Sequence, residues 1–436
     1  MKPISLIRLL SVIAVLIGIP SVGEAETVDI AWVGAVIHPV SGPTVSNATL
    51  VAHADGRIAS INTQGPPAGM ATVDVSGLHL YPGLIASATT LGLIEIDAVR
   101  ATVDTTEVGA FLPEAQAWQA VNPDSEVIPV TRANGITCAE VIPAGAPVAG
   151  HSSVVCLAGW TTEQMVRQRL AALHVYWPSF GLDLAPKSVR GEGWKSVEDQ
   201  IKERTKSLRE LDNYFDEAEA YVRIAQVRGN DPGFRLTPAW EAMRPVLQGA
   251  VPVLVHADDV AQIRSAVEWL VRRKFRGAIV GGLDAARCVE ILATNHIPVV
   301  YTREFALPPR DTDPYDVQYA APSRLQQAGV TVIFGDGQGT ASFVRNLPYS
   351  AGQAVAFGLP ADEALKGLTL YPATLFGLQA SLGTLETGKQ ADVVAADGDI
   401  LDPKTSVKRM WIGGREVDLS SRHTRLFDRY RQRPKP

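Results

Sequence analysis

Two residues in this chain stand where a side chain can do chemistry. Asp336 follows the apolar run at 330–334 and lies between Gly335 and Gly337. A carboxylate at a strand end can take a proton from water or help hold a cation, and glycine neighbours let a ligand come close. The same residues also read as an ordinary Asp-Gly turn. His256 follows the apolar run at 251–255, just before Asp258 and Asp259, either of which can cap a following helix. Its imidazole suits a metal ligand, and equally a buried histidine satisfied by hydrogen bonds. A metal-free acid–base pair of Asp336 and His256 is a third arrangement. Other nucleophile signals are missing. Ser87, Ser152 and Ser153 lack the Gly-x-Ser-x-Gly setting of a hydrolase elbow, and no phosphate-cradling loop or dinucleotide fingerprint is present.

Residues of this kind need a scaffold that presents strand ends. From about 81 to 380, apolar runs at 136–142, 153–157, 251–255, 278–280, 297–300 and 330–334 alternate with helical stretches. That pattern predicts a parallel α/β sheet, and at this length a (β/α)8 TIM-type barrel. A helix over about 196–226 interrupts it, with Ile201, Leu208, Leu211, Phe215, Ala218 and Val222 forming an apolar stripe. Short strands with turns occupy 26–80 and return in 381–436. The two ends are expected to build one small β-sandwich domain beside the barrel domain of 81–380.

Residues 1–25 read as a signal peptide: Lys2 and Arg8, an apolar run over 9–19, Pro20, then small Gly23 and Ala25 before the expected cleavage point. The apolar run is short of the ~20 residues a spanning helix needs, so the mature protein is expected to be exported, to the periplasm in a Gram-negative cell. No transmembrane segment is expected after its removal. The net charge of −6 argues against a nucleic-acid partner. Arg422, Arg425, Arg429, Arg431, Arg433 and Lys435 gather at the C-terminus, as a solvated tail or surface helix. Cys138, Cys156 and Cys288 lack zinc spacing. They read as three buried thiols, or as a Cys138–Cys156 bridge if their strands are neighbours. An oligomer is compatible with charge and composition.

Several motifs, in order, resemble the amidohydrolase superfamily of metal-dependent hydrolases, nearest its imidazolonepropionase-related branch. Tyr81-Pro82-Gly83-Leu84-Ile85 is similar to the opening of its first barrel strand, 251–257 to its fifth strand with a histidine ligand, and 330–336 to its eighth strand with a catalytic Asp. Leu368-Thr369-Leu370-Tyr371-Pro372-Ala373, with Gly377-Leu378 after it, resembles the helix that follows, and 383–392 resembles the turn and strand re-entering the small domain. The resemblance implies a hydrolase of carbon–nitrogen bonds other than peptide bonds, acting on a small linear or cyclic amide. His256 and Asp336 would be metal ligands and Asp336 the base. The implied cofactor is a divalent metal, Zn or Mn, with no cofactor as the alternative.

The departures fall on the chemistry. Where the family carries a His-x-His pair, this chain has Ala88 and Thr90, a methyl group that cannot bind metal and a hydroxyl that binds it poorly. Gly281-Gly282 stands where the sixth strand would end in a second histidine, and no bridging lysine or glutamate is evident on the fourth. Glu95, Asp104, Glu107 and His151 are the groups a rebuilt site would have to recruit, and a carboxylate-rich set would suit Mg or Mn. Solvated loop charge is the competing reading. Two functional expectations follow: an active hydrolase, or a catalytically inactive pseudoenzyme that binds a small-molecule ligand or partner at the barrel mouth.

Overall fold

The computed structural model describes residues 29–228, 231, 233–337 and 340–434. The expected signal peptide, 1–25, and Lys435 lie outside them. Five strands open the described chain: β1 (Ile30–Ile37), β2 (Val45–Ala52), β3 (Ile58–Asn62), β4 (Ala71–Asp74) and β5 (His79–Pro82). Eight follow as the barrel: β6 (Leu84–Thr89), β7 (Ile136–Val141), β8 (Val148–Cys156), β9 (Val166–Tyr176), β10 (Val253–Ala257), β11 (Gly277–Gly281), β12 (Val299–Tyr301) and β13 (Val332–Phe334). Three more close the described chain: β14 (Val393–Ala396), β15 (Val407–Ile412) and β16 (Arg415–Glu416).

Both chain ends share one sheet, ordered β16-β15-β14-β5-β1-β2-β3, with β4 beside β1. Its own core is apolar, with Trp32 of β1 set edge-on to Trp411 of β15 at 5.3 Å between ring centroids. The C-terminal strand β14 runs antiparallel to β5, and β5 leads through Gly83 into the first barrel strand. A Cβ at Gly83 would lie 2.1 Å from the Thr137 hydroxyl of β7, so only glycine lets the chain cross between the two sheets there.

The barrel strands run in chain order from β6 to β13. The ring closes where Ser87 bridges Gly335 and the Asp336 N–H donates to the Ser87 carbonyl at 3.1 Å. Strands β9 to β13 are mutually parallel, and β10 to β13 are all but fully buried, as expected of a covered barrel wall. One departure from the simple eightfold repeat is local. β8 is antiparallel to both β7 and β9, and only the one-turn helix Thr162–Met165 lies between β8 and β9. Direct hairpin-like connections suffice there because antiparallel neighbours need no crossover helix.

That hairpin sets Cys138 directly opposite Cys156. The strands are neighbours, and all three cysteines are free and buried. The long helix spans Val197–Arg228 and buries Leu211, Phe215, Ala218 and Val222 of the expected stripe. Ile201 is exposed instead, because the first turns of the helix extend past the barrel wall. The C-terminal arginines form a surface helix, Arg422–Arg431, closed by a capping box at Ser421 and Thr424. Among the described residues no helix is long and apolar enough to cross a membrane.

Candidate functional site

The C-terminal ends of β9, β10, β11, β12 and β13 surround a cleft of about 520 Å³. His256 of β10 and Asp336 after β13 both line it, with Tyr176, Arg303 and Gly337 among their neighbours. The two residues singled out by sequence are therefore brought to one cavity, at the strand ends where barrel proteins carry chemistry.

His256 is fixed from two sides. Tyr176 of β9 stacks on its ring at 3.9 Å between centroids. Its Nε2 lies 2.9 Å from Nδ1 of His174, also on β9. Nε2 of His174 lies in turn 3.1 Å from a Glu140 oxygen on β7. Glu140 and His174 are both fully buried. A carboxylate only accepts, so His174 presents Nε2–H to Glu140. In the tautomer with Nδ1 of His174 bare, that nitrogen accepts from Nε2–H of His256, and Nδ1 of His256 is left as a lone pair. Burial, with His174 and Arg303 nearby, pushes the His256 pKa well below the ordinary histidine value, so the ring stays neutral at physiological pH.

Glu140 carries more than the histidine. The same oxygen accepts from the Ser152 hydroxyl at 2.7 Å, and the other oxygen accepts from the backbone N–H of Ala88 at 2.9 Å. Ala88 adopts φ +52°, a left-handed conformation that costs a non-glycine residue energy, and the β6–β7 register slips between Ala86 and Thr89. The strand thus does not run straight through the Ala88–Thr90 pair. It kinks there, and the backbone of Ala88 points into the Glu140 network.

Asp336 is held by its backbone at the barrel seam. Its Oδ2 is buried without a partner among the described residues, and burial raises its pKa to about 7. Gly335 serves closure and also lines a neighbouring cleft: a Cβ there would lie 3.0 Å from the Ser87 carbonyl. Gly337, at φ +79°, does line the cleft. Gly281, which also lines the cleft, makes room for a neighbour, since its Cβ would fall 2.7 Å from Oδ1 of Asp258. Asp258 makes a two-point pair with Arg303 at 3.0 and 2.6 Å. Of the two possible caps it is Asp259 that accepts from Gln262 N–H, at the start of the helix Val260–Arg273. Asp259→Ala should lower stability by about 1 kcal/mol, read as a small fall in melting temperature with activity kept.

The other sequence candidates are not gathered here. Asp104 and Glu107 line a separate cleft near Gln116. One Glu95 oxygen accepts from the Glu126 N–H. His151 is buried in β8 with Nδ1 2.8 Å from the Pro113 carbonyl, and burial lowers its pKa to about 4. Among the described residues no group of three or more His, Cys, Asp or Glu side chains is arranged to hold a metal ion. With Ala88, Thr90 and Gly281 at the family's histidine positions, the donor set does not fit a hydrolytic metal centre, which needs three or more protein ligands.

Glu140 and His174 escaped sequence reasoning. The signal was present: a single charge inside the apolar run at 136–142, and a histidine inside Leu173-His174-Val175. A lone charge in a continuous apolar strand must find a partner in the interior.

Comparison with known proteins agrees with this fold. A model of the amidohydrolase family matches residues 192–417, more than half of the chain. The amidohydrolase tasK of Hapsidospora irregularis is 22% identical over 392 residues, 81% of this chain and 38% of that protein. An N-acetylglucosamine-6-phosphate deacetylase of Caenorhabditis elegans is 35% identical over 82 residues, 19% of this chain and 18% of that protein. The chain thus spans less than two fifths of the length of these curated relatives. A crystal structure of an amidohydrolase from Thermotoga maritima MSB8 superposes with a TM-score of 0.77 at 24% identity, covering 89% of this chain and 99% of the other.

Proposed function

The chain belongs to the amidohydrolase family, and on that premise we propose that it is an exported hydrolase of carbon–nitrogen bonds in a small amide, using Asp336 and His256 without the family's metal centre. The observation that carries this reading is Asp336 itself. It sits at the end of the eighth barrel strand, in the same cleft as His256, with an oxygen that has no partner among the described residues and a pKa raised to about 7. Such a group is half ionised at neutrality, where both proton removal and proton return are available.

The chemistry follows from the residues in place. Water attacks the amide carbonyl carbon while the Asp336 carboxylate takes its proton, so a C–O bond forms as the carbonyl π pair moves to oxygen. The tetrahedral species then expels nitrogen, which receives the proton back from Asp336. Neutral His256 accepts a hydrogen bond from the attacking water through its lone pair. The Glu140–His174 relay fixes the tautomer that makes this possible. No step is assigned to a metal, because the donor set lacks the ligands for one.

The test is a panel of linear and cyclic amides at neutral pH, with and without prior chelation. The expected outcome is turnover of at least one member that a chelator leaves unchanged. Activity abolished by chelation and restored by Zn or Mn would overturn the metal-free reading. A second reading, a ligand-binding pseudoenzyme, is favoured by Ala88, Thr90 and Gly281 at the expected ligand positions. It predicts no turnover across the panel with ligand binding retained.

A further inference from the structure

A second cleft of about 440 Å³ adjoins the first and shares Thr302, Arg303 and Asp336 with it. Asp336 is therefore the partition between two lobes. The second lobe has a different chemistry. Glu304 lines it, only 4% exposed, and its Oε1 has no partner among the described residues. Arg303, the adjacent cation, is committed to Asp258 through both of its bonds. Beside Glu304 stand Phe305 and Phe343, both lining the lobe and exposed at 62% and 61%.

A buried carboxyl with an unsatisfied oxygen is costly unless something completes it. Oδ2 of Asp336, the other acidic group on this lobe, also lacks a partner among the described residues. Two carboxyl groups offering bare oxygens call for a donor that carries positive charge. Phenyl faces at the rim attract a cation as well as an apolar chain. Burial raises the Glu304 pKa to about 8, and an incoming cation would draw its proton off. An anionic group would meet acceptor oxygens on both sides, and a purely apolar one would leave the Glu304 oxygen unpaired.

We propose that this second lobe is a subsite for a protonated amine carried on an apolar arm, held between the Glu304 carboxyl and the Phe305 and Phe343 rings. Resting on the hydrolase reading, it places a free ammonium group on one side of Asp336 and the scissile amide on the other. The substrate class narrows to small amides that also bear a primary amine.

Benzylamine and benzyl alcohol are the probes, each titrated into the full chain by calorimetry at neutral pH. The expected result is that the amine binds at least tenfold more tightly than the alcohol. Glu304→Gln should remove that preference, and Phe343→Ala, a change at an exposed side chain, should weaken both probes. Equal affinity for the two probes, or an unaltered preference in Glu304→Gln with native circular dichroism, would overturn the subsite. If Glu304→Gln does not fold, unchanged benzylamine affinity in Phe343→Ala does so instead. Binding needs no turnover, so the two claims fail separately. Benzylamine binding without amide hydrolysis sinks the enzyme reading alone, and hydrolysis without amine preference sinks the subsite alone.

Discussion

Asp336→Asn should reduce turnover by roughly 10²–10⁴-fold, the range lost when a positioned acid–base group is removed, while the fold stays intact. Asparagine keeps the shape and the backbone bond to Ser87 but cannot carry the proton. The pH profile distinguishes this role from a structural one. The working form of Asp336 is the carboxylate, so wild-type activity should rise through pH about 7 and level off above it. Residual activity in the variant should lose that inflection. Stability should move the opposite way. Asp336 holds its proton in the folded state to about pH 7, whereas an unfolded Asp loses it near pH ~4. Stability is thus fully present below the unfolded value and falls as pH rises through the folded one. Asp336→Asn removes that penalty, and at pH 8 the variant should be more stable than wild type by roughly 1–3 kcal/mol, discounted for partial exposure. Unchanged turnover in the variant sinks the proposed role of Asp336.

Glu140→Ala should destabilise the protein by about 3–5 kcal/mol, the cost of breaking a buried charged network from one side. Three donors lose their acceptor at once: the Ser152 hydroxyl, the His174 ring and the Ala88 N–H. The Ala88 kink also loses the bond that offsets its left-handed backbone. Ser152→Ala, which removes one donor and leaves the acceptor occupied, should cost only about 1 kcal/mol. Denaturant melts of the two variants give the comparison directly, and a Glu140→Ala midpoint close to that of Ser152→Ala would refute the network as a structural keystone.

The barrel and the shared terminal sheet were legible because both rest on periodicity. Apolar runs alternating with helical stretches leave little choice but a covered parallel wall, and the runs at 251–255 and 330–334 placed His256 and Asp336 at strand ends. Direction was not legible. The residues of β8 look the same whether the strand runs with or against β7, so its antiparallel course came only from structure. The opening of β9, Val166-Arg167-Gln168-Arg169, carries too much charge to stand out as a barrel strand, and with it went His174. The Glu140–His174–His256 line depends on three strands meeting, which spacing within any one segment cannot reveal. The close packing at Gly281 and Gly335 was hidden for the same reason. Each makes room for a neighbour distant in sequence, Asp258 in one case and Ser87 in the other.

The sheet made from both chain ends has a kinetic consequence. β5 ends at Pro82, yet its antiparallel partner β14 begins only at Val393, so the contacts between them are among the most non-local the chain makes. Loop closure of that span must be achieved before the pairing returns any free energy, and topologies rich in such contacts fold slowly. The half-sheet of β1 to β5 waits with its β5 edge unpaired throughout synthesis of the barrel, a state open to wrong strand pairing. Completion of β14 to β16 is then the step that commits the molecule to its native state, and shortening the chain by those strands should trap it as an aggregating species rather than as a smaller folded one.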